Sequence, residues 1–394
     1  MTRSREGSMG VLPQPGARAL EHSDAVRALI RRTIDAAGGW IAFSDYMQLA
    51  LYAPGLGYYA AGATKFGEAG DFVTAPELSP VFARACASQF DRVFEALGGG
   101  SLLELGPGTG RFALDVLNDF LARGTPLSRY ALLETSPELR ARQRSLLAAA
   151  DVDSETAIWL DCLPEGHEGV VFANEVLDAL PCERFVIRAG EFWRIGVRHD
   201  SQGGFLWEAR PARGDVVGDD AFCEQAERLR ASLTSDAIEL SDGYVGEWQR
   251  DLAAWVRALA ASLRRGAVLL ADYGLPRTQL LHPQRLEGTL RCHYRHRAHA
   301  DPFLWPGLTD LTAWVDFTTV AEAADTAGLA VSGFTSQAAF ILGSGVGATP
   351  AEAAGLRRLL LPGEMGESVK FIWLSRELEV GLPAFALQDL RDSL

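Results

Sequence analysis

Lysine is almost missing from this chain of 394 residues: it occurs only at Lys65 and Lys370, and arginine carries the remaining positive charge. That bias fits a high-GC bacterial genome and, with it, a cytoplasmic protein. Cysteine is sparse too. Cys86, Cys162, Cys182, Cys223 and Cys292 are odd in number, widely separated and form no C-x-x-C pair. This argues against a disulfide framework or a zinc site and for a reducing compartment. No stretch has the ~18 uninterrupted apolar residues of a membrane span, so no membrane insertion is expected. The N-terminal stretch MTRSREGSMGVLPQPGAR lacks the apolar core of a secretory signal and reads as a disordered tail. No G-x-S-x-G elbow occurs, and no glycine-lysine-serine/threonine run follows a turn, which removes the common hydrolase and P-loop readings. A surplus of positive charge is lacking as well. The net charge of −14 disfavours nucleic acid as a partner and is compatible with a cationic protein substrate.

What is present begins with SLLELGPGTGR, residues 101–111. Leu102 and Leu103 end in an acid, Glu104, and Gly106, Gly108 and Gly110 follow on alternate positions. An amphipathic pattern then runs over residues 112–121, so the segment predicts strand, tight turn and helix. Such a turn lets a ligand approach the backbone and points free helix N–H groups at it. The dinucleotide fingerprint needs its third glycine three residues after the second; here that position is Arg111. The E-x-G-x-G-x-G spacing is similar to motif I of class I S-adenosylmethionine (SAM) methyltransferases. SAM carries no phosphate, and an acid beside the turn suits its ammonium and sulfonium.

From residue 101 onward strand and helix patterns alternate, which predicts an α/β fold with a mostly parallel, Rossmann-like sheet. Strands are expected at 130–134, 157–160, 170–173, 267–271, 329–334, 338–342 and 371–374, with a long helix near 245–263. Ser44 is a candidate cap for a helix over 45–52, and 53–72 reads as a long loop. Residues 184–210 alternate with period two and predict a β-meander, whose exposed edges could pair two subunits as a homodimer. Residues 289–316 read as loop. The expected organisation is a tail (1–20), a helical and loop-rich cap segment (21–97), a SAM-binding domain (98–182 and 240–380), an inserted meander and linker (183–239) and an inserted cap loop (288–317).

In an open α/β sheet the ligand sits beyond the carboxyl ends of the strands, so strand-end polar residues are candidates as a set. Glu104 ends the first strand. Glu134 ends the second and can accept hydrogen bonds from both ribose hydroxyls. Asp161 follows the third, in a position to meet an adenine amino group. Asn174, Glu175 and Asp178 follow the fourth, and Asp272 the fifth. His293, His296 and His299 recur at three-residue spacing, but their alternation with arginines favours an ordered loop over the acceptor entrance rather than a metal site.

Six segments together carry a further resemblance: GDFVTAPELSPVF (70–82), ELGPGTG (104–110), ANEVLDALP (173–181), DYG (272–274), GTLRCHYRHRAHADPF (288–303) and DLTAWVDFT (310–318). In this order they resemble the MidA family of class I methyltransferases, whose mitochondrial members are arginine methyltransferases needed for assembly of respiratory complex I. The resemblance implies SAM as cofactor, bordered by Gly106, Gly108 and Gly110. It implies that Glu104 faces the amino-acid end and Glu134 the ribose, with Gly70, Asp71, Thr74 and Pro76 closing over the cofactor. It places Asn174, Glu175 and Asp178 towards the acceptor, and implies a protein substrate such as a respiratory-complex subunit. Val176-Leu177 departs from the aromatic residues more usual after the NE pair. If the acceptor is arginine, its guanidinium stays protonated and presents a planar fork of donors. Carboxylates such as Glu175 and Asp178, or Asp71, can grip that fork. A NAD-binding oxidoreductase, a SAM-binding assembly factor acting by docking, and a small-molecule methyltransferase remain alternatives.

Overall fold

The computed structural model describes residues 12–61, 74–150, 152, 156–213 and 219–394. The main sheet runs Ala330–Ser336, Val369–Arg376, Leu263–Leu275, His167–Asn174, Ser101–Leu105, Arg129–Leu133 and Ala157–Leu160, with Val315–Asp316 added beside Leu263–Leu275. All these neighbours pair in parallel except Val369–Arg376, which is antiparallel to both of its neighbours. Strand Ser101–Leu105 is central and apolar on both faces, as a strand covered by helices on each side must be. Leu102 enters the core beneath helices Pro80–Leu97 and Arg111–Arg123, where Phe112 stacks on Phe172 at 4.2 Å. Leu103 enters the opposite core, with Val256 and Leu259 of helix Leu252–Ser262.

A second sheet, built from Ile41–Ala42, Cys182–Arg188, Glu191–His199, Phe205–Pro211 and Val245–Gln249, packs against the N-terminal helices. Buried charge fastens it. Arg194 donates to both oxygens of Glu183, at 2.9 and 2.6 Å, and to Asp219 at 2.9 Å, while Ser44 Oγ donates to Glu183 at 2.7 Å. Removing one partner of a buried pair strands the other charge in a poorly solvated place. Arg194→Met is therefore expected to cost about 3 kcal/mol of stability, read as a lower denaturant midpoint, while Arg228→Met, at an exposed pair, leaves it unchanged.

Several expected elements differ. Ser44 is not the cap of its helix, which spans Phe43–Tyr52 with Ala42 at the N-cap; the Ser44 hydroxyl is taken by Glu183. Residues 245–249 are a strand, because their backbone pairs with Cys182–Arg188 and only residues from Leu252 onward are helical. The inserted sheet thus takes its last strand from beyond 183–239. Residues 338–342 lie in helix Gln337–Gly343, which Ser336 caps through the backbone N–H of Ala339; a short apolar run fits either element. Residues 289–316 hold a three-stranded sheet, Arg291–Tyr294, Arg297–His299 and Asp310–Thr312, rather than a loop. Helix Ala17–Ala36 starts inside the expected tail and buries Val26, Ile30 and Ile34. Among the described residues no helix is long and apolar enough to cross a membrane.

Candidate active site

A cavity of about 490 Å³ opens at the carboxyl ends of Ser101–Leu105, Arg129–Leu133 and His167–Asn174, within the range of small-molecule sites. Glu104, Gly106, Gly108, Glu134, Thr74, Pro76, Asn174 and Glu175 all line it. Gly110 sits just behind, as the N-cap of helix Arg111–Arg123. Gly70 and Asp71 lie outside the described residues.

The glycine turn is left-handed at each glycine, with φ of 61°, 54° and 85° at Gly106, Gly108 and Gly110. At Gly106 a Cβ would approach Val176 Cγ2 to 2.9 Å, so the turn fits closely under the NE segment. Gln143 braces the turn from the other side. Its Nε2 donates to the Gly108 carbonyl at 2.8 Å and to Glu134 at 3.4 Å, and its Oε1 accepts from Trp159 Nε1 at 2.8 Å. Glu134 also accepts from the backbone N–H of Ser136 at 2.8 Å.

The lining favours a cation. Its acids are Glu77, Glu104, Glu134, Glu175 and Asp251, and among the described residues its one basic side chain is Arg111, whose Nε is held by Asp115 at 2.9 Å. Among the described residues the lining thus carries five acids to one arginine, a poor match for a diphosphate and a good one for SAM, with its ammonium, sulfonium and ribose hydroxyls. Burial pushes the Glu104 carboxyl up from 4.5 to about 8, partly opposed by the hydrogen bond it accepts from Tyr130 at 2.7 Å. The unliganded fold therefore prefers Glu104 neutral, and stability falls as pH rises from about 4.5 towards 8. Were the ligand's ammonium to pair with this carboxylate, binding below pH 8 would expel a proton. Calorimetry at pH 7 in buffers of different ionisation enthalpy is expected to show about one proton released on S-adenosylhomocysteine binding. Glu104→Gln should abolish that release and weaken binding; unaltered release in the variant contradicts the assignment.

The end of the cavity at Asn174 and Glu175 is more tightly built. Glu175 has φ 52°, a left-handed conformation rare for a side-chain-bearing residue, and its N–H donates to the Ala271 carbonyl at 2.9 Å. Asp272 locks the turn by accepting from the N–H groups of Val176 and Leu177 at 3.0 and 2.7 Å. Glu175 Oε1 accepts from Asn174 Nδ2 at 3.1 Å and from the Ala75 N–H at 3.3 Å. Burial raises the Glu175 carboxyl to about 7. Asn174 Oδ1 is buried without a hydrogen-bond partner among the described residues. Segment Ala75–Leu78 closes over the cavity, tied on one side to Glu175 through Ala75 and on the other to Thr109, which donates to Glu77.

Two expected positions move. Asp161 does not line the cavity: its side chain is 89 % exposed and is held by Arg140 Nη1 at 2.7 Å, which also gathers the Leu160 and Glu134 carbonyls. Leu163 lines the cavity instead. Asp178 is buried behind the wall rather than on it, with its carboxyl raised by burial and by Asp272, Glu175 and Asp310. Among the described residues no cluster of metal-ligating type is found. Sequence reasoning missed Gln143, Tyr52 and Tyr59 as parts of the site. Tyr59 falls in the stretch 53–72 that reads only as a long loop.

Comparison with known proteins follows this geometry. A family model described as "Putative S-adenosyl-L-methionine-dependent methyltransferase" matches residues 81–335. A crystal structure of a protein from Burkholderia thailandensis bound to S-adenosyl-homocysteine superposes with TM-score 0.90 at 43% identity, covering 97% of this chain and 100% of that one. A native crystal structure from the same organism gives TM-score 0.87 at 42% identity, with 97% and 100% coverage. The mitochondrial protein arginine methyltransferase NDUFAF7 of Mus musculus is 29% identical over 71% of this chain and 65% of its own length, so the match leaves about a third of that relative uncovered. The Drosophila melanogaster homologue is 28% identical over 74% and 68%.

Proposed function

The chain belongs to the MidA-like family of S-adenosyl-L-methionine-dependent methyltransferases, and from that premise we propose that its methyl acceptor is the guanidinium of an arginine in a protein. The carrying observation is the pairing of Glu175 with Asn174 at the cavity wall: a half-buried carboxylate beside an amide oxygen that is buried and has no donor among the described residues. A buried acceptor without a donor calls for one from a ligand. A guanidinium offers five N–H groups in a plane and suits both.

SAM supplies an electrophilic methyl carbon on a sulfonium. Glu104 would face its ammonium, Glu134 its ribose hydroxyls, and the backbone at Gly106 and Gly108 its flank, with Thr74 and Pro76 above. The chain's own work is then positioning and charge. Glu175 and Asn174 hold the fork and turn one nitrogen towards the methyl. Glu175, titrating near 7, takes up the proton that the nitrogen must lose. Asp178 backs the wall from behind, its carboxyl pushed towards the neutral form by burial and by the neighbouring acids. The naming of the mouse and fly relatives as arginine methyltransferases supports the same acceptor. All five cysteines are free thiols, with Cys86, Cys182 and Cys292 buried, which suits a reducing cytoplasm.

The test uses the purified enzyme, methyl-labelled SAM and protein extract from cells lacking the enzyme. Acid hydrolysis of the labelled protein is expected to yield methylated arginine. Label confined to lysine, or to small molecules removed by dialysis, overturns the proposal.

A further inference from the structure

We infer that Tyr52 and Tyr59 form the wall that selects the acceptor, taking a cationic group against their ring surfaces; this rests on the reading of a protein arginine acceptor above. The two rings line the same cavity as Asn174 and Glu175. Tyr52 ends helix Phe43–Tyr52, and the chain then folds back so that Tyr58 and Tyr59 donate their N–H groups to Ala50 and Leu51 at 2.9 and 2.8 Å. This return stacks Tyr59 on Tyr52, with centroids 5.5 Å apart and planes 24° from parallel. Tyr58, itself buried, meets Tyr59 edge-on at 5.0 Å.

Both hydroxyls are already committed. Tyr59 donates to Asp310 Oδ1 at 2.9 Å and Tyr52 to the Ala179 carbonyl at 3.0 Å. Neither phenol is thus poised as an acid or base, and burial beside Asp178 and Asp310 raises both far above 10. What the rings still offer the cavity is apolar, electron-rich surface. Electron-rich ring surface attracts cations, and a flat, weakly hydrated guanidinium more readily than a compact ammonium.

The inserted sheet gains a role from this. Asp310 opens strand Asp310–Thr312 and stands opposite His293 in the pairing with Arg291–Tyr294. Burial lowers His293 to about 4, so it stays uncharged. The His- and Arg-rich insert therefore reaches the site through Asp310, as the anchor that fixes Tyr59.

The experiment titrates the full chain, saturated with S-adenosylhomocysteine, with butylguanidinium and butylammonium. The wild type is expected to bind butylguanidinium the more tightly. Tyr52→Leu and Tyr59→Leu should each weaken it about tenfold, with Tyr52→Phe retaining wild-type binding and S-adenosylhomocysteine affinity unchanged throughout. Wild-type binding of butylguanidinium that both leucine variants retain overturns the tyrosine wall and leaves the arginine reading standing. Ring-dependent binding that instead favours butylammonium supports the wall and overturns arginine as the acceptor. A wild type that binds neither probe overturns the wall.

Discussion

Gly106→Val is expected to lower S-adenosylhomocysteine affinity at least about 100-fold, to the edge of detection by calorimetry. The backbone at this position has φ 61°, which a β-branched residue occupies only with strain. The added carbon would press on Val176 Cγ2 from 2.9 Å. Val176 cannot yield freely, since its own N–H is held by Asp272. The glycine turn must therefore shift outward, into the space between Glu104 and Glu134. Backbone strain alone costs about 1–2 kcal/mol, so loss of binding needs separating from loss of stability. Gly124→Val provides that control: it has φ 70° but no atom within 4 Å of a Cβ, at the far end of helix Arg111–Arg123. It should lose similar stability and keep its affinity. Gly106→Val with affinity within about threefold of wild type would mean that the turn does not border the cofactor.

The features legible in the sequence are those encoded within one short segment. The glycine spacing after Glu104 and the NE pair after His167–Asn174 each specify a strand end, and parallel topology brings strand ends together whatever lies between them. Illegible features depend on partners far along the chain. Tyr59 and Asp310 meet across 251 positions. Gln143 reads as an ordinary polar residue of helix Pro137–Ala149 until the fold brings Gly108, Glu134 and Trp159 to it. Asp161 differs for the opposite reason: it follows a strand end, yet at the sheet's edge, where Arg140 holds it outside the cavity lining. Residues 245–249 carry too little period to oppose a helix, and their strand is imposed by pairing with Cys182–Arg188.

Glu175→Gln is expected to lower kcat by about 10²–10³-fold while S-adenosylhomocysteine affinity stays within about threefold of wild type. The substitution keeps shape and an acceptor oxygen, so Asn174 Nδ2 and the Ala75 N–H retain their partner and segment Ala75–Leu78 stays closed. It removes the negative charge and places an NH₂ where a guanidinium presents its own donors. Glu175 titrates near 7 because burial disfavours its ionised form, and in the proposed role the ionised form is the one that grips the acceptor. With the cofactor saturating, kcat/KM for the acceptor should thus rise with pH through about 7 and level above it, since this ratio reports groups of the acceptor-free enzyme. The acid limb should vanish in Glu175→Gln. The same variant separates the roles proposed for two carboxylates: Glu104 in the proton released on cofactor binding, Glu175 in the pH dependence of transfer. If affinity for S-adenosylhomocysteine falls in step with turnover, Glu175 belongs to the cofactor's half of the cavity, and the acceptor must be gripped elsewhere.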